Sequence, residues 1–306
     1  MRTHPFVLAT ALLMPFVASA AEDPKPARPN IYDEKADATQ QIAEAAARAK
    51  RDHKRVLVQW GANWCGWCHK LHEVCSTNAD LKKVLHDEYE VVLVDVGRFD
   101  KNAELAEKLG AQLKGNGVPY LTVLDEDGKT IVNQDTGSLE AGPDHDVAKV
   151  LKFLNDHVAP RVDAEAELTT ATSKAKNDGK LVFVHFGAPW CGWCTKLDAW
   201  LASPDIAAAM GSRFVDVKID TERMTHGADV LKRFRGPNES GIPWFVALDA
   251  DGKVIATSEV NGKNLGFPST DAELEGFDQF LTKANVEADS KAKLLESLRA
   301  ARDAKK

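Results

Sequence analysis

The sequence predicts an α/β protein made of two tandem copies of one domain, each a central mixed sheet flanked by helices. The first observation behind this is a repeated pentapeptide, Trp-Cys-Gly-Trp-Cys, at Trp64–Cys68 and again at Trp190–Cys194. The second is that the context repeats with it: Cys191 trails Cys65 by 126 positions, and the later Asp-Gly turn at Gly252 trails Gly128 by 124. An offset that barely drifts marks duplication of a whole domain. The third is the order of elements, strands alternating with helices and then a hairpin, which is the pattern of a mixed sheet between helices.

A polar helix opens each copy (Ala38–Asp52; Glu165–Asn177), and a short apolar strand follows (Val56–Trp60; Leu181–Phe186). The cysteine pair then starts a helix running through Leu71 or Leu197. Next come a second strand (Val91–Val96; Phe214–Ile219) and another polar helix (Ala103–Leu109; Ala228–Phe234). A Gly-x-Pro turn leads into an apolar strand (Tyr120–Leu124; Trp244–Leu248). The Asp-Gly pairs make a tight hairpin into a last strand (Ile131–Gln134; Val254–Thr257), because glycine tolerates the positive φ of such turns. A terminal helix closes each copy (Asp146–Asn155; Ala272–Thr282). The expected domains are 35–158 and 163–284, joined through Val158–Val162, with a charged helix over 285–306 carrying Leu294, Leu295 and Leu298 at helical spacing.

The chain has 306 residues, 44% of them hydrophobic, enough to bury two cores of ordinary size. A net charge of −7 argues against a nucleic-acid binder, which needs a basic face. Residues 1–20 read as a secretory signal: Arg2 and His4 form a polar start, Phe6–Val17 an apolar run, and Ala18-Ser19-Ala20 a cleavage site. The apolar run is too short to span a bilayer and Pro15 interrupts it. Residues 21–34 then read as a flexible leader, and the mature chain as a soluble periplasmic protein with no inserted segment. That compartment permits disulfides.

The two pentapeptides use four of the five cysteines. Two thiols separated by two residues can close a small disulfide ring at a helix start. Cys65 and Cys191 would sit at the helix N-terminus, where free N–H groups and the dipole favour thiolate, and would attack. Cys68 and Cys194, one turn inside, would resolve the mixed disulfide. Gly66 and Gly192 would allow the tight turn into the helix.

Gly-Val-Pro-Tyr and Gly-Ile-Pro-Trp place Val118-Pro119 and Ile242-Pro243 at matching points beyond the two cysteine pairs. With these, both halves resemble thioredoxin-fold domains. The runs Val56-Leu57-Val58-Gln59-Trp60-Gly61-Ala62-Asn63 and Leu181-Val182-Phe183-Val184-His185-Phe186-Gly187-Ala188-Pro189 match the family's strand before the site. The likeness covers nearly all of 35–283 and is strongest to the set that includes the periplasmic C-terminal domain of membrane electron transporters of disulfide metabolism. It implies thiol–disulfide oxidoreductase activity without a cofactor, on disulfide- or thiol-containing proteins, with a redox partner protein for turnover. It also implies that Pro119 and Pro243 are cis and pack against the disulfide, so an extended substrate can pair beside the attacking sulfur. Trp64, Trp67, Val118, Pro119, Trp190, Trp193, Ile242 and Pro243 are then the expected substrate contacts. Strongly oxidising relatives carry a histidine where Trp67 and Trp193 stand; without a cation there, the sites lean towards reductant or neutral exchanger.

One departure separates the halves. The family's buried acid before the site is replaced by Gln59 in the first half and by His185 in the second. His185 can titrate and Gln59 cannot. Asp216 on the neighbouring strand falls within reach of His185, with Leu93 as its expected counterpart, so the two sites should be unequal. Other readings are weaker. Cys65-Gly66-Trp67-Cys68-His69 matches c-type haem attachment, but Thr195 replaces the histidine in the second copy. A zinc site would need both cysteine pairs to converge, so no metal is expected. Cys75, matched by Leu201, reads as a small buried hydrophobe. A binding or chaperone module is the non-enzymatic alternative, and retention of all four thiols speaks against it.

Overall fold

The computed structural model describes residues 28–237 and 241–304. The expected signal segment, the leader to residue 27 and the last two residues lie outside them.

A strand buried on both faces needs a neighbour on each edge and a helix over each face, and the first half supplies these in chain order. The Asp37 carboxylate caps α1 (Ala38–Asp52), which buries Ile42, Ala45 and Ala49. It leads into β1 (Arg55–Gly61), buried from Val56 onward. Helices α2 (Gly66–Thr77) and α3 (Ala79–Glu88) meet at Asn78, whose side chain caps the second. Strand β2 (Tyr89–Asp95) returns parallel to β1. Helix α4 (Ala103–Lys108) and the single turn α5 (Leu113–Asn116) then carry the chain across. Strand β3 (Tyr120–Leu124) runs antiparallel to β1, and β4 (Thr130–Asp135) antiparallel to β3. A small ribbon, β5 (Glu140–Ala141) with β6 (Asp144–His145), and helix α6 (Val147–Asp156) complete the half.

The second half repeats the order. It runs α7 (Ala164–Asp178), β7 (Leu181–Gly187), α8 (Gly192–Leu201), α9 (Pro204–Gly211), β8 (Phe214–Asp220) and α10 (Gly227–Arg235). Then come β9 (Trp244–Leu248), β10 (Val254–Thr257), the ribbon β11 (Glu259–Val260) with β12 (Lys263–Asn264), and α11 (Asp271–Lys283). The sheets have the orders β2-β1-β3-β4 and β10-β9-β7-β8, which are one topology written twice. The architecture is therefore the α/β one the sequence predicts. It adds α3 and α9, because the Asn78 side chain caps a new helix and Pro204 opens another after Ser203, each where the sequence reading ended one. Helix α12 (Ala288–Asp303) buries Leu294, Leu295 and Leu298 in the core beneath α11.

From Ile31 onward the chain is one compact unit, so the halves pack together. They meet where α1 ends. The last carbonyls of a helix have no partner within it, and Arg223 of the second half donates to the Asp52 and His53 carbonyl oxygens at 2.9 Å each. Its guanidinium also faces the negative end of the α1 dipole. Arg223 and Glu88 form an ion pair at 3.0 Å with both side chains 8% exposed, and Arg161 holds the other Glu88 oxygen at 2.9 Å.

Removing one member of a buried ion pair strands the other, at a cost of about 3–5 kcal/mol. Arg223→Met should therefore lower the midpoint of denaturant unfolding, followed by circular dichroism. Lys50→Met, which cuts an exposed pair with Asp127, should leave that midpoint in place. Equal midpoints for the two variants would show that Arg223 does not hold the halves together.

Candidate active site

Each buried central strand ends in a turn that delivers a cysteine to the start of a helix. Cys65 caps α2 and Cys191 caps α8, with the Cys68 and Cys194 backbone N–H groups pointing at the first sulfur at 3.0 and 3.1 Å. These N–H groups would otherwise lack partners, and they favour negative charge on the sulfur they face. Both pairs are closed as disulfides, Cys65–Cys68 and Cys191–Cys194, with Cα separations of 5.3 and 5.2 Å. Gly66 and Gly192 are the first helical residues of α2 and α8, so no turn geometry demands glycine there.

The Val118-Pro119 and Ile242-Pro243 peptides are cis. Cys65 Sγ lies 3.4 Å from the Val118 carbonyl oxygen, and Cys191 Sγ lies 3.6 Å from that of Ile242. A backbone edge thus runs beside the first sulfur in each half. Around it stand the tryptophans. Trp64 and Trp190 are exposed, their indole N–H groups donating to the Gly97 carbonyl and the Glu222 carboxylate. Trp193 is exposed and stacks with Phe267, while Lys196 sits 4.0 Å over its ring.

Trp67 is half-buried, with a lysine over its ring as at Trp193 and a histidine besides. Lys70 lies 4.5 Å over its ring, and His145, from β6, packs edge-on at 5.3 Å. His145 donates from Nε2 to the Trp67 carbonyl, and its Nδ1 is buried without a partner among the described residues. Burial outweighs that hydrogen bond and pushes its pKa below the ordinary imidazole range, because a second proton would sit unpaired in the interior. The histidine is therefore a neutral neighbour of the site, and Lys70 the charged one.

Beneath the disulfides the halves diverge. In the first, Gln59 Nε2 donates to the Tyr32 hydroxyl at 2.9 Å. Tyr32 is 2% exposed and packs with Cys65 and Cys68. It belongs to the segment read as flexible leader, yet Asn63 holds the backbone N–H groups of Ile31 and Tyr32 with its side-chain oxygen. Burial raises the Tyr32 pKa above its ordinary value, so the phenol keeps its proton. A side chain at Gly61 would strike both the Tyr32 hydroxyl and Cys68 Sγ, which is why this position is glycine.

In the second half His185 is 4% exposed and lies between two carboxylates, with Nδ1 3.4 Å from Asp198 and Nε2 3.4 Å from Asp216. Asp198 stands one turn beyond Cys194 on α8 and also pairs with Lys218 at 2.5 Å. The strand register corrects one expected correspondence. Gln59 lies opposite Leu93 and His185 opposite Lys218, so Leu93 answers Lys218, while Asp216 answers Val91. Sequence reasoning found Gln59, His185 and Asp216 but missed Tyr32, Asp198, Lys218 and His145. Spacing of four from Cys194 is a signal for Asp198, and a parallel-strand alignment is one for Lys218. Nothing local marks Tyr32 or His145.

His69 donates from Nε2 to the Asn63 carbonyl at 2.8 Å. Cys75 is half-buried against the core on the far side of α2, and burial pushes its thiol up to about 12, which keeps it protonated.

A model of the thioredoxin-like family matches residues 37–126 and 163–250, more than half of the chain. The chain belongs to the thioredoxin-like family. Each match takes in one cysteine pair. Among curated relatives, protein disulfide-isomerase 1 of Dictyostelium discoideum is 25% identical over 65% of this chain and 53% of its own length. Disulfide bond reductase DsbH of Chlamydia pneumoniae is 30% identical over 29% of this chain and 57% of its own. The chain spans about half the length of these relatives. A solved disulphide isomerase from Xylella fastidiosa is 34% identical over 41% of this chain and 95% of that one, at a TM-score of 0.38. Among the described residues no helix is long and apolar enough to cross a membrane.

In this thioredoxin-like protein, Tyr32→Phe removes the acceptor of the buried Gln59 amide, and an unsatisfied buried donor costs about 1–3 kcal/mol. Tyr32→Ala also empties the space beside Cys68, and loss of a large buried ring costs about 3–5 kcal/mol. Denaturant unfolding should rank wild type above Phe and Phe above Ala. A Phe variant as stable as wild type would mean that the amide finds another partner.

Proposed function

We propose that the chain is an exported thiol–disulfide oxidoreductase that reduces or exchanges disulfides in protein substrates at two Cys-Gly-Trp-Cys centres. The observation that supports it best is the repeated geometry of a cysteine sulfur capping a helix beside a free-standing carbonyl edge. A dithiol there can attack, because the helix start favours thiolate. Cys65 or Cys191 attacks a substrate disulfide and displaces one substrate thiolate, forming a mixed disulfide. Cys68 or Cys194 then loses its proton and attacks the first sulfur, closing the ring and releasing the second substrate thiolate. Each cycle leaves the substrate reduced by two electrons and the site oxidised by two, and a partner protein with its own dithiol restores it. The same steps reversed oxidise a substrate.

Trp64, Trp67, Trp190 and Trp193 give a substrate apolar surface, and the segments at Val118-Pro119 and Ile242-Pro243 give it a backbone to lie along. Residues 1–20, whose composition is that of a secretory signal, support export to the periplasm. The two sites work unequally. His185, held by Asp198 and Asp216, can accept the resolving proton in site two, and a well-placed base speeds such a step by about 10²–10⁴-fold. Gln59 and Leu93 offer site one no such group.

In the full chain, Cys68→Ser or Cys194→Ser should trap substrate as mixed disulfides, and Cys65→Ser or Cys191→Ser should abolish trapping at the same site. Trapping from Cys68 with Cys65 removed would reverse the assigned roles, and no trapping at all would leave a binding module. With one site silenced at a time, single-turnover resolution should be faster at site two than at site one. His185→Gln should bring the site-two rate down to that of site one. Equal rates at the two sites, unmoved by that substitution, would reduce His185 to a packing residue.

A further inference from the structure

Site two does not end at the boundary of its own half. Lys218 Nζ lies 2.5 Å from Asp198 and 3.0 Å from Asp52, and Asp52 belongs to α1 of the first half. Cys194, Asp198, Lys218 and Asp52 line one cleft between the halves. We propose that Asp52 is a positioning residue of the second site: by sharing Lys218 with Asp198 it sets the charge that Cys194 meets when it resolves a mixed disulfide. This rests on the oxidoreductase reading above.

The ammonium is nearly enclosed. Burial alone would lower its pKa, but Asp52 and Asp198 together outweigh burial and raise it, so Lys218 stays charged. Burial likewise works against the Asp52 carboxylate, yet Lys218 and Arg51 hold it below the usual carboxylate range. The first half has no counterpart: Leu93 stands where Lys218 does, and His72, four residues after Cys68, is exposed. Other charges face the pair from the elements around it. Arg51 lies on α1 and Lys54 just after it, His185 on β7, Asp216 on β8, and Arg223 in the turn beyond, with Glu88 and Glu90 holding Arg223 and Lys54.

The step concerned is resolution at Cys194. Its thiol gives its proton to His185, which Asp198 and Asp216 hold, and His185 passes it to solvent. Its sulfur bonds to Cys191 Sγ, the Cys191–substrate S–S bond breaks, and the substrate thiolate leaves to be protonated by water. With Asp52 present, Lys218 is divided between two carboxylates. Without it, one negative charge leaves the cleft and the ammonium faces Asp198 and Cys194 alone. The thiolate of Cys194 is then favoured at lower pH.

The test uses the full chain with Cys65→Ser and Cys68→Ser, so that only site two reacts. The reduced protein is mixed with 5,5′-dithiobis(2-nitrobenzoate) in a stopped-flow instrument. A first thionitrobenzoate leaves as Cys191 attacks and a second as Cys194 resolves. Asp52→Asn should move the pH midpoint of the second release down by about half a unit, the scale expected when a nearby charge is removed through a shared partner. Lys218→Met should move it up, Asp52→Asn with Lys218→Met should restore it towards the parent, and Asp52→Glu should leave it in place. Asp52→Ala must give the same downward shift as Asn, so the outcome does not hang on one variant's folding. A profile unmoved by Asp52→Asn and Asp52→Ala, while Lys218→Met still moves it, would confine Asp52 to holding the halves together. Absence of any second release from the parent would overturn the oxidoreductase reading of this site, and the inference with it.

Discussion

Both halves depend on one backbone arrangement, a cysteine sulfur that caps a helix beginning where a fully buried strand ends. The strand fixes the start of the helix because β1 and β7 have neighbours on both edges and cannot slide without exposing apolar side chains. The helix fixes the sulfur because its first N–H groups need an acceptor. The antiparallel neighbours β3 and β9 then bring the Val118 and Ile242 carbonyls alongside. The sulfur's place at the helix start and the carbonyl edge beside it are thus consequences of strand burial more than of any residue in the pentapeptide itself.

What varies is the packing below that frame. The first half fills the space with a phenol and an amide that hydrogen-bond to each other, a neutral and rigid plug. The second fills it with a histidine between two carboxylates and a lysine, a cluster of charged and polar groups. The same outer geometry therefore sits over two electrostatic interiors. On the proposed reading, a resolving cysteine over the neutral interior would send its proton to solvent, whereas one over acceptors would have a shorter route. Duplication preserved the frame and left the interior free to diverge.

How much of this was legible in the sequence follows from what is local. The strand-to-helix run, the cysteine caps and the proline turns are contiguous and repeated, so fold class and cysteine pairs could be read directly. His185 and Asp216 were readable as departures from a repeat, although the register of β8 against β7 moved the pairing by one pleat and brought Lys218 opposite His185. Tyr32 was not readable, because an aromatic residue in a polar, proline-rich leader has no periodicity to show that it turns inward. His145 and Asp52 were also hidden: each reaches its site only through tertiary packing, one from a two-residue strand and one from the other half of the chain.

The contact between the halves ties these features together. Arg223 closes the end of α1 and holds Glu88, while Asp52, the last residue of the same helix, turns its carboxylate to Lys218. The helix end is therefore read twice by the second half, once through its carbonyls and once through its side chain. A buried ion pair of this kind contributes little net stability, since desolvation offsets most of the attraction, but it allows few alternative arrangements. Its effect is to fix orientation. With α1 locked against β8, the cleft leading to Cys194 has one wall from each half, and the charges lining it stay in register with the cysteine they face.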